Sequence, residues 1–337
     1  MSSESTIFSG FAVTTHACHL YNKTKSRYHS ESRKYKLRGQ PSKMLKDLLR
    51  LQVDLVATRA ELGLALTGGG FLEKLTPDGG GRPVVTLPGF LASETTLLRL
   101  NRFLNRNGFE AESWGMGRNL GPQGESWHHV IDRLESELGD RIRCLADEHG
   151  APVSLIGQSL GGVYARELAA VMPAEIDRVI MLGSPTLHPY ITSSHNRVIA
   201  LFGYWMGRQS HAEMAGRKGL LHLDPDEPAL PCVSVHSPFD GIVDEASSRI
   251  PDYILAEANQ AAPRENLRVT SSHIGMSVNP WVFLAIADRL VQSRDDWENF
   301  DPYEYFTGSL EWLVPLLFPA PDETDQPADI ASLAEVS

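Results

Sequence analysis

The chain has 337 residues, 42% of them hydrophobic, and a formal net charge of −11. That is ample apolar material for a full core, and the overall acidity argues against nucleic acid as a substrate. Three isolated cysteines, Cys18, Cys144 and Cys232, show neither metal-ligand spacing nor an even disulfide framework, so they read as buried, inert thiols in a reducing compartment. No run is apolar enough for a membrane span and no signal-peptide core follows Met1, so a cytoplasmic protein without metal or cofactor is expected.

The charge is uneven. Residues 23–50 hold ten Lys/Arg against Glu31 and Asp47, a local +8 that leaves −19 for the remainder. Residues 1–41 are Ser-, Thr- and His-rich without periodicity and read as a flexible basic arm. Peripheral contact with an anionic membrane is the sharper reading of that arm, and a solvated segment the plainer one. From Ser42 to Leu66, Leu45, Leu48, Leu49, Leu55, Val56 and Leu62 recur at helical spacing, which predicts a helix packed on the main body by its apolar face. Glycines 68–70 and the Pro/Gly-rich stretch 77–83 break the chain, so residues 42–80 form a helix and linker ahead of a main domain at 81–293.

Within that domain the pattern is strand, loop, helix, repeated. Strands are predicted at 84–87, 109–114, 153–156, 178–182, 232–236 and 267–270, with helices at 94–105, 126–149, 160–172 and from Pro280. Such alternation gives an α/β fold, a mostly parallel sheet with helices on both faces. Residues 185–231 interrupt the rhythm with Tyr190, Phe202, Tyr204, Trp205 and Met206, and read as a lid-like insertion. Past Arg294 an acidic, aromatic extension runs to 337, with an apolar stretch at 303–318 suited to docking and a tail that lacks core-forming residues.

The chemistry centres on Gly157-Gln158-Ser159-Leu160-Gly161-Gly162, set between the strand at 153–156 and the helix after it. G-x-S-x-G at such a junction is a nucleophile elbow: a sharp turn holds the serine in a strained conformation with its hydroxyl exposed. A serine hydroxyl needs a base, normally a histidine oriented by a carboxylate. In a parallel α/β hydrolase these come in the order Ser, acid, His. Asp240 lies in the turn after the strand at 232–236, and His273 just past the last predicted strand. Both sit at carboxyl ends of strands, where the sites of open sheets gather. Ser159, Asp240 and His273 are therefore the candidate triad, with Asp244 as the alternative acid. The N–H of Leu160 and that of Phe90, or alternatively of Leu91, are the expected oxyanion donors. Leu91, Phe202, Tyr204 and Trp205 are candidate substrate contacts.

Together the motifs P-G-F-L-A-S at 88, G-Q-S-L-G-G at 157, G-S-P at 183, D-G-I-V at 240 and S-H-I-G-M at 272 resemble the α/β-hydrolase superfamily, of the lipase/esterase kind, over residues 83–290. Pro88 stands where that family usually has the His of a His-Gly pair, and no pair of strands is evident before Val84, as in a reduced sheet. The resemblance implies a serine hydrolase acting on a small-molecule carboxylic ester, with the aromatic insertion suiting an apolar, lipid-like acyl chain. Acyl transfer or thioester cleavage by the same triad, and a non-catalytic binding protein of the same fold, are the alternatives.

Overall fold

The computed structural model describes residues 41–186, 230–257 and 263–321. The chain forms two compact units, Met1–Met44 and Leu45–Ser337. Of the first, only residues 41–44 are described, as the opening of a helix; the sheet and its covering helices belong to the second. The basic arm, nearly all of the insertion at 185–231 with Phe202, Tyr204 and Trp205, and the tail beyond residue 321 lie outside the described residues.

Six strands form one sheet: β1 (Pro83–Leu87), β2 (Glu110–Ser113), β3 (Val153–Gln158), β4 (Ile176–Leu182), β5 (Cys232–His236) and β6 (Arg264–Arg268). Their order is β2-β1-β3-β4-β5-β6 and every pairing is parallel. A parallel sheet must be covered on both faces, and the strand residues alternate accordingly. Val85, Leu87, Leu155, Val179 and Met181 join one buried cluster, with residues of α3 (Trp127–His149) and α4 (Leu160–Val171). Val84, Ile156, Ile180, Leu182, Val233 and Val235 join the other, with α2 (Leu98–Arg106) and α7 (Pro280–Val291). Two short helices, α5 (Glu245–Ser248) and α6 (Asp252–Glu257), connect β5 to β6.

The sequence of α3 accounts for its form. Val130, Ile131, Leu134, Leu138, Ile142 and Leu145 recur every three or four residues and are all buried. Ser126 caps its start by accepting the N–H of His129 at 3.2 Å, and Gly150, at φ 62°, ends it in the left-handed conformation.

Two elements depart from expectation. The helix predicted at 42–66 is α1, Pro41–Leu72, and it runs straight through Gly68–Gly70. Its end is anchored by Leu72, fully buried with Leu284 of α7 and with Phe306 and Val314 from the C-terminal aromatic stretch. That tertiary contact outweighs the glycines' weak helix propensity, about 1 kcal/mol each. The face that α1 turns inward is also not the apolar one: Leu49, Leu55 and Val56 are exposed, and Asp54 is buried. The other departure is the last strand, which is Arg264–Arg268 rather than 267–270. Its charges hid it. Glu265 is buried against Arg289 at 2.8 Å, and buried Arg264 donates to the Leu230 carbonyl, so a charged sequence is satisfied inside the sheet.

Replacing the cap by Ser126→Ala removes one acceptor from the first turn of α3. It is expected to lower unfolding stability by roughly 0.5–2 kcal/mol, read from the urea midpoint at unchanged slope.

Candidate active site

The site begins with backbone geometry. Ser159 joins β3 to α4 with φ 53° and ψ −119°, a combination that non-glycine residues rarely adopt. The turn is this tight because glycines flank it. A Cβ on Gly157 would collide with the backbone of Gly161 and Gly162, and one on Gly161 with the carbonyls of Leu87 and Pro88. The Ser159 N–H is fixed to the Leu182 carbonyl at 2.9 Å, and the residue keeps partial exposure. Leu160 is the first residue of α4, so its N–H has no carbonyl one turn back within the helix.

The loop after β1 lies against this turn. A Cβ on Gly89 would sit 3.2 Å from the Ser159 Cβ and 3.3 Å from the Gln158 carbonyl oxygen, which places the Pro88-Gly89-Phe90 backbone beside the serine. The loop is held from behind by Asn119, whose side-chain amide donates to the Pro88 carbonyl at 2.8 Å. The Asn119 carbonyl in turn accepts the Leu91 N–H at 2.7 Å, so that N–H is already engaged. Leu91 has φ 59° and its side chain is exposed.

Further along the sheet's rim stand the candidate acid and the candidate base. Asp240 comes after β5, with its side chain 1% exposed. Its Oδ1 accepts the N–H groups of Ile242 and Val243, both at 2.8 Å, and its Oδ2 lies 2.7 Å from Nδ1 of buried His273. With a carboxylate as acceptor, Nδ1 carries the proton and Nε2 is left with its lone pair, the tautomer a general base requires. Asp244 instead sits at the N-cap, just before α5, where its carbonyl accepts the N–H groups of Ser247 and Ser248. Burial works against a charged imidazole, but the charge and hydrogen bond of Asp240, together with the charge of Asp54, outweigh it. The pKa of His273 is therefore raised above the ordinary value of 6.5.

Two contacts join these halves. Gln158, the residue before the serine, donates its side-chain amide to the His273 carbonyl at 3.0 Å. Gly183, just past Leu182, has φ 55°, and a Cβ there would lie 2.9 Å from Asp240 Oδ2 and 3.0 Å from His273 Nδ1. The structure thus brings Asp240 and His273 into a hydrogen bond and sets them on the rim that carries Ser159 and Gly89. Phe202, Tyr204 and Trp205 lie outside the described residues. Among the described residues, no group of three His, Cys, Asp or Glu side chains is clustered to hold a metal ion, and no helix is long and apolar enough to cross a membrane.

Sequence reading missed two residues of α1. Asp54 accepts the N–H of His273 at 2.7 Å, and Glu61 accepts that of Ser272 at 2.8 Å. Asp54, Thr58 and Glu61 do recur at i, i+4 and i+7, a polar stripe on a helix, but nothing in that stripe names its partner.

No family model and no curated protein matches the chain. Solved structures do. A soluble variant of monoglyceride lipase from Saccharomyces cerevisiae, in complex with a substrate analogue, is 19% identical with a TM-score of 0.47, over 66% of this chain and 90% of that one. A lipase from Bacillus licheniformis in its mature form is 16% identical with a TM-score of 0.43, covering 64% and 94%. An α/β-hydrolase enzyme from the metagenome of lagoon sediments at Mar Chica, Morocco, is 16% identical with a TM-score of 0.43, covering 65% and 94%. With TM-scores below 0.5 and identities below 20%, these likenesses assign nothing to this chain. By its own six parallel strands, helices on both faces and positive-φ serine after β3, the fold of this chain is the α/β-hydrolase fold.

Proposed function

We propose that the protein is a serine hydrolase that cleaves a carboxylic ester through an acyl-Ser159 intermediate. The observation that carries this reading is the buried 2.7 Å bond between Asp240 Oδ2 and His273 Nδ1, on the sheet rim that holds the strained Ser159 turn. In this reading His273 Nε2 takes the Ser159 hydroxyl proton as Oγ attacks the ester carbonyl. The imidazolium, stabilised by Asp240, then gives that proton to the leaving alcohol as the C–O bond breaks. Water, deprotonated by the same imidazole, attacks the acyl-serine and returns Ser159 and the free acid. The N–H groups of Leu160 and Phe90 are the proposed oxyanion donors, supported by the start of α4 behind the serine and by the close approach of Gly89. Each donor of this kind contributes about 2.7–4 kcal/mol to transition-state stabilisation. An apolar acyl chain is the proposed substrate class, on the aromatic content of residues 185–231 and the exposed Leu91 beside the site.

A serine-reactive fluorophosphonate should label the wild-type protein and spare Ser159→Ala, whose kcat on p-nitrophenyl esters should fall by about 10⁶. Asp240→Asn should lose about 10⁴ in kcat. A folded wild-type protein that takes up no label would refute the reading.

Only neutral His273 accepts the serine proton, so kcat/KM should rise with pH through the imidazole's ionisation. Because that pKa is raised, the midpoint is expected above 6.5, and a profile with no such limb would count against His273 as the base. Gly183→Ala would push a methyl between Asp240 and His273 at a positive φ. It should reduce kcat/KM by about 10² or more, the effect of misplacing a catalytic group by about an ångström.

A further inference from the structure

Helix α1 is tied to the catalytic loops by carboxylates. Asp54, 1% exposed, accepts three backbone N–H groups: Oδ2 takes those of His273 (2.7 Å) and Gly241 (3.2 Å), and Oδ1 that of Ile274 (3.2 Å). One side chain therefore grips the loop of the base and the loop of the acid together. One turn on, Thr58 Oγ1 lies 3.0 Å from Ser272 Oγ. Glu61 then takes the N–H of Ser272 (2.8 Å), the hydroxyl of Ser271 (2.6 Å) and the side-chain amide of Asn279 (3.0 Å). Two glycines let the helix come this close. A Cβ on Gly241 would meet the Arg50 carbonyl at 2.9 Å and Asp54 Cβ at 3.2 Å, and one on Gly275 would collide with the Glu61 carboxylate.

A carboxylate buried without a cation is costly unless its lone pairs are met by donors. Among the described residues no lysine or arginine pairs with Asp54, and its donors are all main-chain N–H groups of the two catalytic loops. A neutral amide would satisfy only one side of this arrangement, because its NH₂ would face another N–H.

We propose that α1 is a positioning element of the active site: Asp54 and Glu61 hold the His273 and Asp240 loops in register with Ser159, and the Asp54 charge favours the imidazolium formed during acyl transfer. The proposal rests on the hydrolase reading above. The charged groups around the His273 loop are Asp240 from the turn after β5, and Asp54 and Glu61 from α1; Gln158, Ser159 and Ser272 are neutral. Loss of the Asp54 charge therefore acts in one direction, lowering the affinity of the imidazole for its proton, in keeping with the part that charge plays in raising its pKa.

The test uses the full chain, with wild type and Ser159→Ala as references, and Asp54→Asn and Glu61→Gln as probes, on a soluble p-nitrophenyl ester across pH. Rates are normalised to sites titrated with fluorophosphonate, so that only folded, competent protein is counted. Asp54→Asn should lower kcat by about 10- to 100-fold with KM changed little, and should move the low-pH limb of kcat/KM to lower pH. Glu61→Gln should lower kcat less and leave the limb in place. A role confined to stability would lower the yield of titratable sites and move neither normalised kcat nor the limb, and that result overturns the proposal. If Asp54→Asn gives no folded protein, the normalised kcat of Glu61→Gln decides, with a wild-type value overturning it. A wild type that neither labels nor turns over the ester brings down the hydrolase reading itself, whereas an active wild type with unaffected variants brings down the role of α1 alone.

Discussion

The structure depends on how closely a strand and the helix after it can pass. Gly157 in β3 and Gly161 and Gly162 in α4 come so near that no Cβ fits at 157, and the chain reverses through one serine at φ 53°. That conformation is paid for by the sheet around it: β3 sits between β1 and β4, and the turn is pinned to the Leu182 carbonyl. Because β3 is central, the loops after β1 and β4 lie on either side of Ser159, and those after β5 and β6 carry Asp240 and His273 to the same rim. Strand order, rather than proximity in sequence, assembles the site.

Around this rim the polar groups are arranged in layers of support. Asp240 orients the imidazole, backbone N–H groups of Ile242 and Val243 orient Asp240, and Asp54 and Glu61 hold the backbone that bears the imidazole. These carboxylates are wholly or partly buried, and their oxygens are met by hydrogen bonds of 2.6–3.2 Å. A satisfied network of this kind is rigid, because every member loses its partner if any loop shifts.

What could be read from the sequence was what is local. The G-x-S-x-G turn, the capped α3 helix and the strands of β-branched residues carry their signal within a few neighbouring positions. So does Asp240 with its tight turn, whose Oδ1 bonds residues two and three positions ahead. What could not be read depends on distant partners. β6 is disguised because Arg264 and Glu265 are satisfied by groups from other elements. The α1 helix presents an apolar stripe that suggests burial, yet Leu49, Leu55 and Val56 of that stripe face outward while its polar stripe meets the loops that carry Asp240 and His273. Asp54 meets its donors 187 to 220 positions along the chain, a separation over which residue spacing is uninformative.

That separation also sets an order of events. The bond from Asp54 to the backbone of His273 joins positions 219 apart, and all six strands of the sheet lie between them in the chain. Non-local contacts of this kind are the slow ones to form, since a long loop must be closed before they contribute. The elbow needs only β3, α4 and the flanking strands β1 and β4, whereas the grip of α1 on the loops needs both ends of the span. A polypeptide still emerging from synthesis would thus lack the bond between Asp54 and the His273 backbone until both ends of this long span have been made.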